Sequence, residues 1–362
     1  MPELTRDHVQ DYLRRLEGEE ITVVDLRRLG ESSEERSIKK YGYGTPVLVN
    51  YLRNGKPFRS VIHTMTPGPF GHEHMADRAQ TLLWEHASFN RLPQHVRALD
   101  VGGFTAHGDL IPLGSVEEFF LLTEYVEGQG YFVDLARLQA GGELTELDRA
   151  RADALCDYLV AIHQVPGPNP ELYHRSIREL LGQGECIMGL TDSYPPSDAL
   201  FSPQALEQVE TLCVGWRWRL KQFPHRLRQI HGDFHPWNIL FQSGTQFRLL
   251  DRSRWEFGDP ADDLASLTLN YVFSSLQRSG RVEGPLGDLF DRFWQRYLES
   301  SRDREMLSII APFLAFRALV MASPVWYPSL SASVRKTLLR LIRGVLQDDR
   351  FIPARINDYC GG

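Results

Sequence analysis

The chain has 362 residues, 42% of them hydrophobic and 24% charged, with a formal net charge of −7; this composition predicts a soluble globular protein of one large or two ordinary domains. The negative balance argues against nucleic acid as the main partner, which would call for a basic face. It leaves open either a cationic or neutral substrate or simply a solvated acidic surface. No apolar run approaches the roughly 18 residues that cross a bilayer, and Met1-Pro2-Glu3-Leu4-Thr5-Arg6-Asp7 lacks the basic and apolar regions of a signal peptide. Cys156, Cys186, Cys213 and Cys360 are scattered and form no Cys-x-x-Cys pair. No membrane role, zinc cluster or disulfide framework is therefore expected, and the protein is placed in the cytoplasm.

In chain order, the first 125 residues read as short strands: Ile21–Leu26, Pro46–Leu52 and Phe58–His63, with Asn54-Gly55 as a hairpin signal between the last two. A helix is predicted over Met75–Leu92, followed by a strand-like region that ends in Phe119-Phe120-Leu121-Leu122 and Glu124-Tyr125-Val126-Glu127-Gly128. Beyond Gly128 the pattern turns helical, with predicted helices at Leu147–His163, Phe290–Leu298, Leu307–Met321 and Val334–Leu346. Proline clusters at 166–170 and 195–196 mark loops, and no internal repeat is found.

One hairpin is embedded in this helical half. Ile230-His231-Gly232-Asp233-Phe234-His235-Pro236-Trp237-Asn238 runs into the apolar strand Ile239-Leu240-Phe241, and a second strand, Phe247-Arg248-Leu249-Leu250, delivers Asp251 at its end. Two carboxylates and an amide thus converge at the mouth of one hairpin, the arrangement that phosphoryl transfer uses for a hydroxyl-orienting acid and oxygen ligands of a metal. Read blandly, these are ordinary turn residues, for which Asp and Asn are common. His231 and His235, four apart, invite a metal reading, yet no third ligand accompanies them; hydrogen bonding that fixes the loop is the expected role. Gly71-His72-Glu73-His74 likewise does not fill a metal site and reads as a loop. Gly258-Asp259-Pro260 reads as a helix start, with Asp259 as N-cap, Pro260 at the first helical position, and Asp262 and Asp263 in the first turn.

The pattern His-Gly-Asp-x-His-x-x-Asn, then Leu-Leu-Asp, then Gly258-Asp259-Pro260-Ala261-Asp262-Asp263-Leu264-Ala265, resembles the aminoglycoside phosphotransferase and choline kinase superfamily. The resemblance spans roughly residues 20–330, with its strong motifs confined to 230–265. It implies an α+β, protein-kinase-like fold of two lobes: a β-rich N-lobe over 1–125 and a mainly helical C-lobe over 126–362 carrying the catalytic hairpin. It implies an ATP-dependent transfer to a hydroxylated small molecule, an aminoglycoside-like antibiotic or a metabolite, with no nucleic-acid or membrane partner. Asp233 would take or orient the hydroxyl proton, with His231 in the same catalytic loop, and Asn238 and Asp251 would hold Mg²⁺. Glu124 and Val126 would belong to the hinge that grips the adenine.

The resemblance weakens toward the N-terminus. Gly42 and Gly44 are preferred as the turn over the phosphates because a strand follows at once, with Gly30-Glu31-Ser32-Ser33 as the competing stretch and a plain β-turn as the bland reading. The family carries a lysine on the third strand; here His63 stands at that place, and a histidine is mostly neutral at pH 7. Glu85 is the matching helix glutamate, expected to face His63 unless it is merely solvated, and Lys56 or Arg59 are alternatives for the charge. A kinase-like protein that binds nucleotide without turnover is therefore the rival reading. Phosphorylation of proteins is disfavoured, since no Ala-Pro-Glu segment follows Asp251.

Overall fold

The computed structural model describes residues 4–29, 44, 46–68, 71–91, 96–116, 118–119, 121, 123–252, 254 and 256–361. The chain divides into two compact units, Met1–Thr123 and Glu124–Gly362. Gly42 and the competing stretch 30–33 lie outside the described residues.

In the first unit, helix α1 (Arg6–Glu17) is capped by Thr5 at one end and by left-handed Gly18 at the other. It packs Val9 and Leu13 onto strands β1 (Ile21–Arg28) and β2 (Val47–Arg53), where Ile21, Val23, Val49 and Tyr51 complete a small core. β3 (Lys56–Ile62) pairs antiparallel with β2 through the Asn54-Gly55 turn, whose φ values of 49° and 75° are those of the tight hairpin that Asn-Gly favours. Sheet order is β1-β2-β3. Helix α2 (Met75–Phe89) follows, then the short antiparallel pair β4 (Gly102–Phe104) and β5 (Leu110–Pro112). Of the stretch 119–122, expected to be strand-like, Phe120 and Leu122 lie outside the described residues, and Phe119 and Leu121 are exposed.

The second unit opens with β6 (Gln129–Gly130) and helices α3 (Tyr131–Gln139), α4 (Glu146–His163), α5 (Leu172–Gly182), α6 (Ile187–Ser193) and α7 (Pro203–Leu220). β7 (Arg228–Gln229) leads to the hairpin β8 (Ile239–Ser243) and β9 (Gln246–Leu249), and β6 joins its outer edge. After β10 (Phe257–Gly258), which pairs with β7, come α8 (Ala261–Ser279), α9 (Gly284–Ser301), α10 (Ala311–Ala322), α11 (Ala332–Gln347) and α12 (Ile356–Cys360). α8 is buried along most of its length and packs against α3, α9 and α10; several of its buried polar side chains, Thr268 and Asn270 among them, bond back to the helix's own carbonyls. The helix expected from Leu307 starts instead at Ala311, because Pro312 lacks the amide hydrogen a helix interior needs but suits a first turn; a short 3₁₀ turn at Glu305–Ser308 precedes it. The unit is thus α+β in class, helical around an embedded antiparallel hairpin. None of the described helices is long and apolar enough to cross a membrane.

Candidate active site

The loop between β7 and β8 is shaped from beneath by the first turn of α8. Asp263, 0% exposed, accepts from the amides of both His231 (2.8 Å) and Gly232 (2.8 Å) and contacts His163 Nε2 at 3.1 Å. Gly232 has φ 85°, a backbone conformation that side-chain-bearing residues rarely adopt, which explains the glycine before the acid. Asp259 sits one position further upstream of the helix than a cap would: Pro260 is the N-cap. Asp259 Oδ1 still accepts from the Ala261 amide at 3.0 Å, so it caps the first turn as expected, and Asp259 is also buried in a bidentate pair with Arg226 and takes the Tyr173 hydroxyl.

His231 is committed to the loop. Its Nδ1 accepts from the Asp233 amide (3.2 Å) and its Nε2 faces the Leu250 carbonyl (3.0 Å), so the neutral ring protonated at Nε2 satisfies both contacts. Burial keeps its pKa below the ordinary histidine value, which maintains that form.

Asp233 is nearly buried. Arg317, from α10, donates to its Oδ1 at 2.6 Å, and Arg254 stands 3.5 Å from the same oxygen. His235 Nε2 lies 3.3 Å from Oδ2, and its Nδ1 accepts from the Trp237 amide. Burial alone would raise the carboxyl's pKa, yet the His235 contact and the Arg317 and Arg254 charges hold it well below the usual carboxylate range. Asp233 is therefore an anion at any working pH and a weak proton acceptor.

Asn238 donates its side-chain N–H to the Asp233 carbonyl at 3.0 Å, leaving Oδ1 as the atom able to meet a cation. Its own carbonyl accepts from Leu250 N at 2.9 Å, which fastens the end of β9 to the loop and sets Asp251 beside it. Asp251 is exposed with φ 49°, a conformation rare for a non-glycine residue and one that turns the chain sharply out of the hairpin. An amide oxygen and an exposed carboxylate are the hard donors Mg²⁺ prefers, and two protein ligands suffice where phosphates and water complete the shell. The donor set fits that ion. Asp251 and His231 also line a cavity of about 220 Å³ with Tyr158, Ile162, Ile230 and Arg252.

Trp237 is 47% exposed, and its ring stacks on Phe132 at 5.6 Å and an interplanar angle of 5°. The Phe132 ring lies over Gly130, where an added Cβ would come within 2.3 Å of it.

In the first unit, Gly44, His63 and Glu85 line one cavity of about 180 Å³ together with Pro46, Thr64, Met65 and Leu82. His63 falls just past the end of β3 rather than within it. Among the described residues no hydrogen bond or ion pair links His63 to Glu85. Gly44 is explained by close approach: a Cβ there would lie 1.9 Å from the Thr64 carbonyl oxygen. Glu124 is exposed and Val126 half-buried, in a stretch of the second unit without strand pairing. The His72–His74 stretch serves α2, with the His74 amide donating to Asp77 at 2.7 Å.

Arg317, Arg254 and His163 escaped the sequence reading. A signal for Arg317 was present: it is the single charge in the apolar run Ala311-Pro312-Phe313-Leu314-Ala315-Phe316-Arg317-Ala318-Leu319-Val320-Met321-Ala322, and an arginine inside a buried helix needs a partner.

The model of the phosphotransferase enzyme family matches residues 70–305 of the chain. No curated protein matches it. Among solved structures it is similar to the choline kinase LicA from Streptococcus pneumoniae, at 14% identity and a TM-score of 0.37, covering 94% of this chain and 98% of that one. It is also similar to the amicoumacin kinase hAmiN solved with AMP-PNP, Ca²⁺ and Ami, at 14% identity and a TM-score of 0.42, covering 93% and 91%. A third is the spectinomycin phosphotransferase APH(9)-Ia in complex with ADP and spectinomycin, at 11% identity and a TM-score of 0.33, covering 99% and 98%.

Proposed function

The chain belongs to the phosphotransferase enzyme family, and from that premise we propose that it moves the γ-phosphoryl group of ATP to a hydroxyl of a small molecule, an aminoglycoside-like antibiotic or a hydroxylated metabolite, in the cytoplasm. The observation that carries this reading is Asp233, kept as an anion in a loop that Asp263 locks to α8, with Asn238 donating to its carbonyl and Asp251 following directly on the Leu250 amide that Asn238 holds. Asp233 accepts a hydrogen bond from the acceptor hydroxyl and aims its oxygen along the line of attack. Because this carboxylate is a weak base, its main contribution is orientation, and the proton reaches it only as the new O–P bond forms and the bond to the leaving phosphate breaks. Asn238 and Asp251 would hold Mg²⁺, which when bound neutralises phosphate charge. Gly44, His63 and Glu85 line the cavity assigned to the nucleotide phosphates, and Glu124 and Val126 belong to the segment assigned to the adenine.

Titration calorimetry with Mg·ADP, and ADP release over a panel of hydroxylated molecules, test this assignment. Asp251→Ala should abolish Mg²⁺-dependent nucleotide binding. Asp233→Asn should bind within about twofold of wild type and lose turnover, about 10²-fold or more. An Asp233→Asn protein that turns over an identified acceptor at the wild-type rate sinks the assignment. One observation favours a second reading: His63 stands where the family resemblance puts a lysine, so a protein that binds Mg·ADP and turns over nothing would be a silent member of the family.

A further inference from the structure

Arg317 is a buried cation, 5% exposed, on a helix otherwise given to the core. Its Nη1 donates to Asp233 Oδ1 at 2.6 Å. Its Nη2 donates both to the Gly232 carbonyl at 3.1 Å and to Asp262 Oδ1 at 2.9 Å. One guanidinium therefore ties together the acid of the loop, the backbone just before it and the first turn of α8. Burying a charge costs several kcal/mol unless it is paired; both terminal nitrogens have acceptors while Nε is buried without one, and an apolar residue would have filled the same space on α10 with less cost. The planar fork of arginine reaches three acceptors at fixed angles, which a lysine ammonium on a flexible stem does not reproduce.

The two oxygens of Asp233 are held unequally. Oδ1 carries the short bond from Arg317 and the longer contact from Arg254, while among the described residues Oδ2 meets His235 at 3.3 Å and Asn238 Nδ2 at 3.4 Å. The tight contacts sit on one oxygen and leave the other with its lone pairs weakly engaged. A carboxylate free to rotate would present either oxygen in many orientations, and a misplacement of about 1 Å costs on the order of 10²-fold in rate.

We propose that Arg317 is a positioning residue for phosphoryl transfer: from α10 it locks Asp233, the Gly232 carbonyl and Asp262 into one ion-paired unit and so directs Oδ2 of Asp233 at the acceptor hydroxyl. This rests on the assignment of Asp233 above. It makes two distinguishable statements, that Arg317 sets the carboxylate's orientation and that transfer depends on that orientation.

The test compares the full-length wild type with Arg317→Met, Arg317→Lys, Arg317→Ala and Asp262→Asn. Mg·ADP affinity is measured first. It should stay within twofold in every variant, since the guanidinium touches no proposed metal ligand. Turnover is read as ADP release, with water as acceptor and with any hydroxylated molecule of the panel that reacts. Arg317→Met should lower kcat at least 100-fold with KM for ATP within twofold. Arg317→Lys should recover only part of the loss, and Asp262→Asn, which cuts one arm of the clamp, should fall between. Millimolar guanidinium should restore at least tenfold to Arg317→Ala and nothing to Asp233→Asn. A purely structural role predicts a lowered melting temperature and lost Mg·ADP binding with no guanidinium rescue and no kcat-specific loss, and that pattern overturns the proposal. So does a kcat for Arg317→Met within threefold of wild type. If Arg317→Met does not fold, the Arg317→Lys and Asp262→Asn results decide by the same criteria. If the wild type itself turns over nothing, the functional reading fails separately, and crystal structures of wild type and Arg317→Lys decide the positioning claim: an Asp233 carboxylate in the same place in both overturns it, a rotated one supports it.

Discussion

Asp263 offers the sharpest test of how the loop between β7 and β8 is held. Replacing it by alanine removes the acceptor of the His231 and Gly232 amides and of His163 Nε2, all in a place with no exposed side-chain surface. Burial by itself would raise this carboxyl's pKa, but the His163 contact and the His231 amide hold it below the usual value, so a full charge is lost at neutral pH. Each orphaned buried donor costs about 1–3 kcal/mol; with partial relaxation the sum for Asp263→Ala should be about 3–5 kcal/mol, the range for breaking a buried ionic network from one side. Asp263→Asn keeps one oxygen but turns an amide N–H toward a donor, and about 2 kcal/mol is expected. The four cysteines provide the reporter. All are buried in the second unit, and burial pushes the thiols up to about 12 for Cys156, Cys213 and Cys360 and about 11 for Cys186, so they should stay unreactive until that unit opens. Unfolding followed by thiol labelling in urea should show the alanine midpoint lowered by about 1–1.7 M for a slope of about 3 kcal/mol/M. A shift below about 0.3 M, equivalent to about 1 kcal/mol, would refute the claim that α8 holds the loop through this carboxylate.

Two further outcomes follow from local geometry. Gly130→Ala should push the Phe132 ring off its seat and break its stack with Trp237, costing about 1 kcal/mol by the same thiol assay; an unchanged midpoint and unchanged Trp237 emission would show that the stack is incidental. Asp148, nearly buried at the start of α4, accepts from Thr145 N and Oγ1 and pairs with Arg137. Burial opposes its ionisation, but Arg137 and Thr145 outweigh it and lower its pKa. The stability this adds is present above the unfolded value of about 3.9 and is lost as pH falls through the lower native one. The gap in urea midpoint between wild type and Asp148→Asn should therefore narrow from pH 5 to pH 3, and a gap independent of pH would refute the assignment.

Much of the second unit was legible because its signals are local. Helices announce themselves by apolar spacing, and the observed α4 and α11 lie within a residue or two of the predicted spans. Asn54-Gly55 specified its hairpin because few residue pairs tolerate two positive φ values in succession. The order Asp233, Asn238, Asp251 was readable because all three sit on one loop and one hairpin, where sequence spacing is nearly spatial spacing. The same reasoning failed at Leu307, where a 3₁₀ turn stands and Pro312 sets the helix start at Ala311.

What the chain by itself determined is the set of groups that backbone-local chemistry brings together: a glycine where the loop must turn left-handed, an acid after it, an amide five residues on and a carboxylate at the end of the returning strand. What only the tertiary structure decided is how those groups are charged and aimed. Asp263 reaches the loop from 31 residues away, and Arg317 reaches Asp233 from 84 away, across helices whose packing no short-range pattern encodes. Ion pairs of this kind depend on the relative placement of α8, α10 and the loop to a fraction of an ångström, because the energy of a buried charge changes sharply with distance in a medium of low dielectric constant. That placement is set by the fit of many apolar side chains at once, and it is there that a lone arginine in an apolar helix becomes the partner of Asp233.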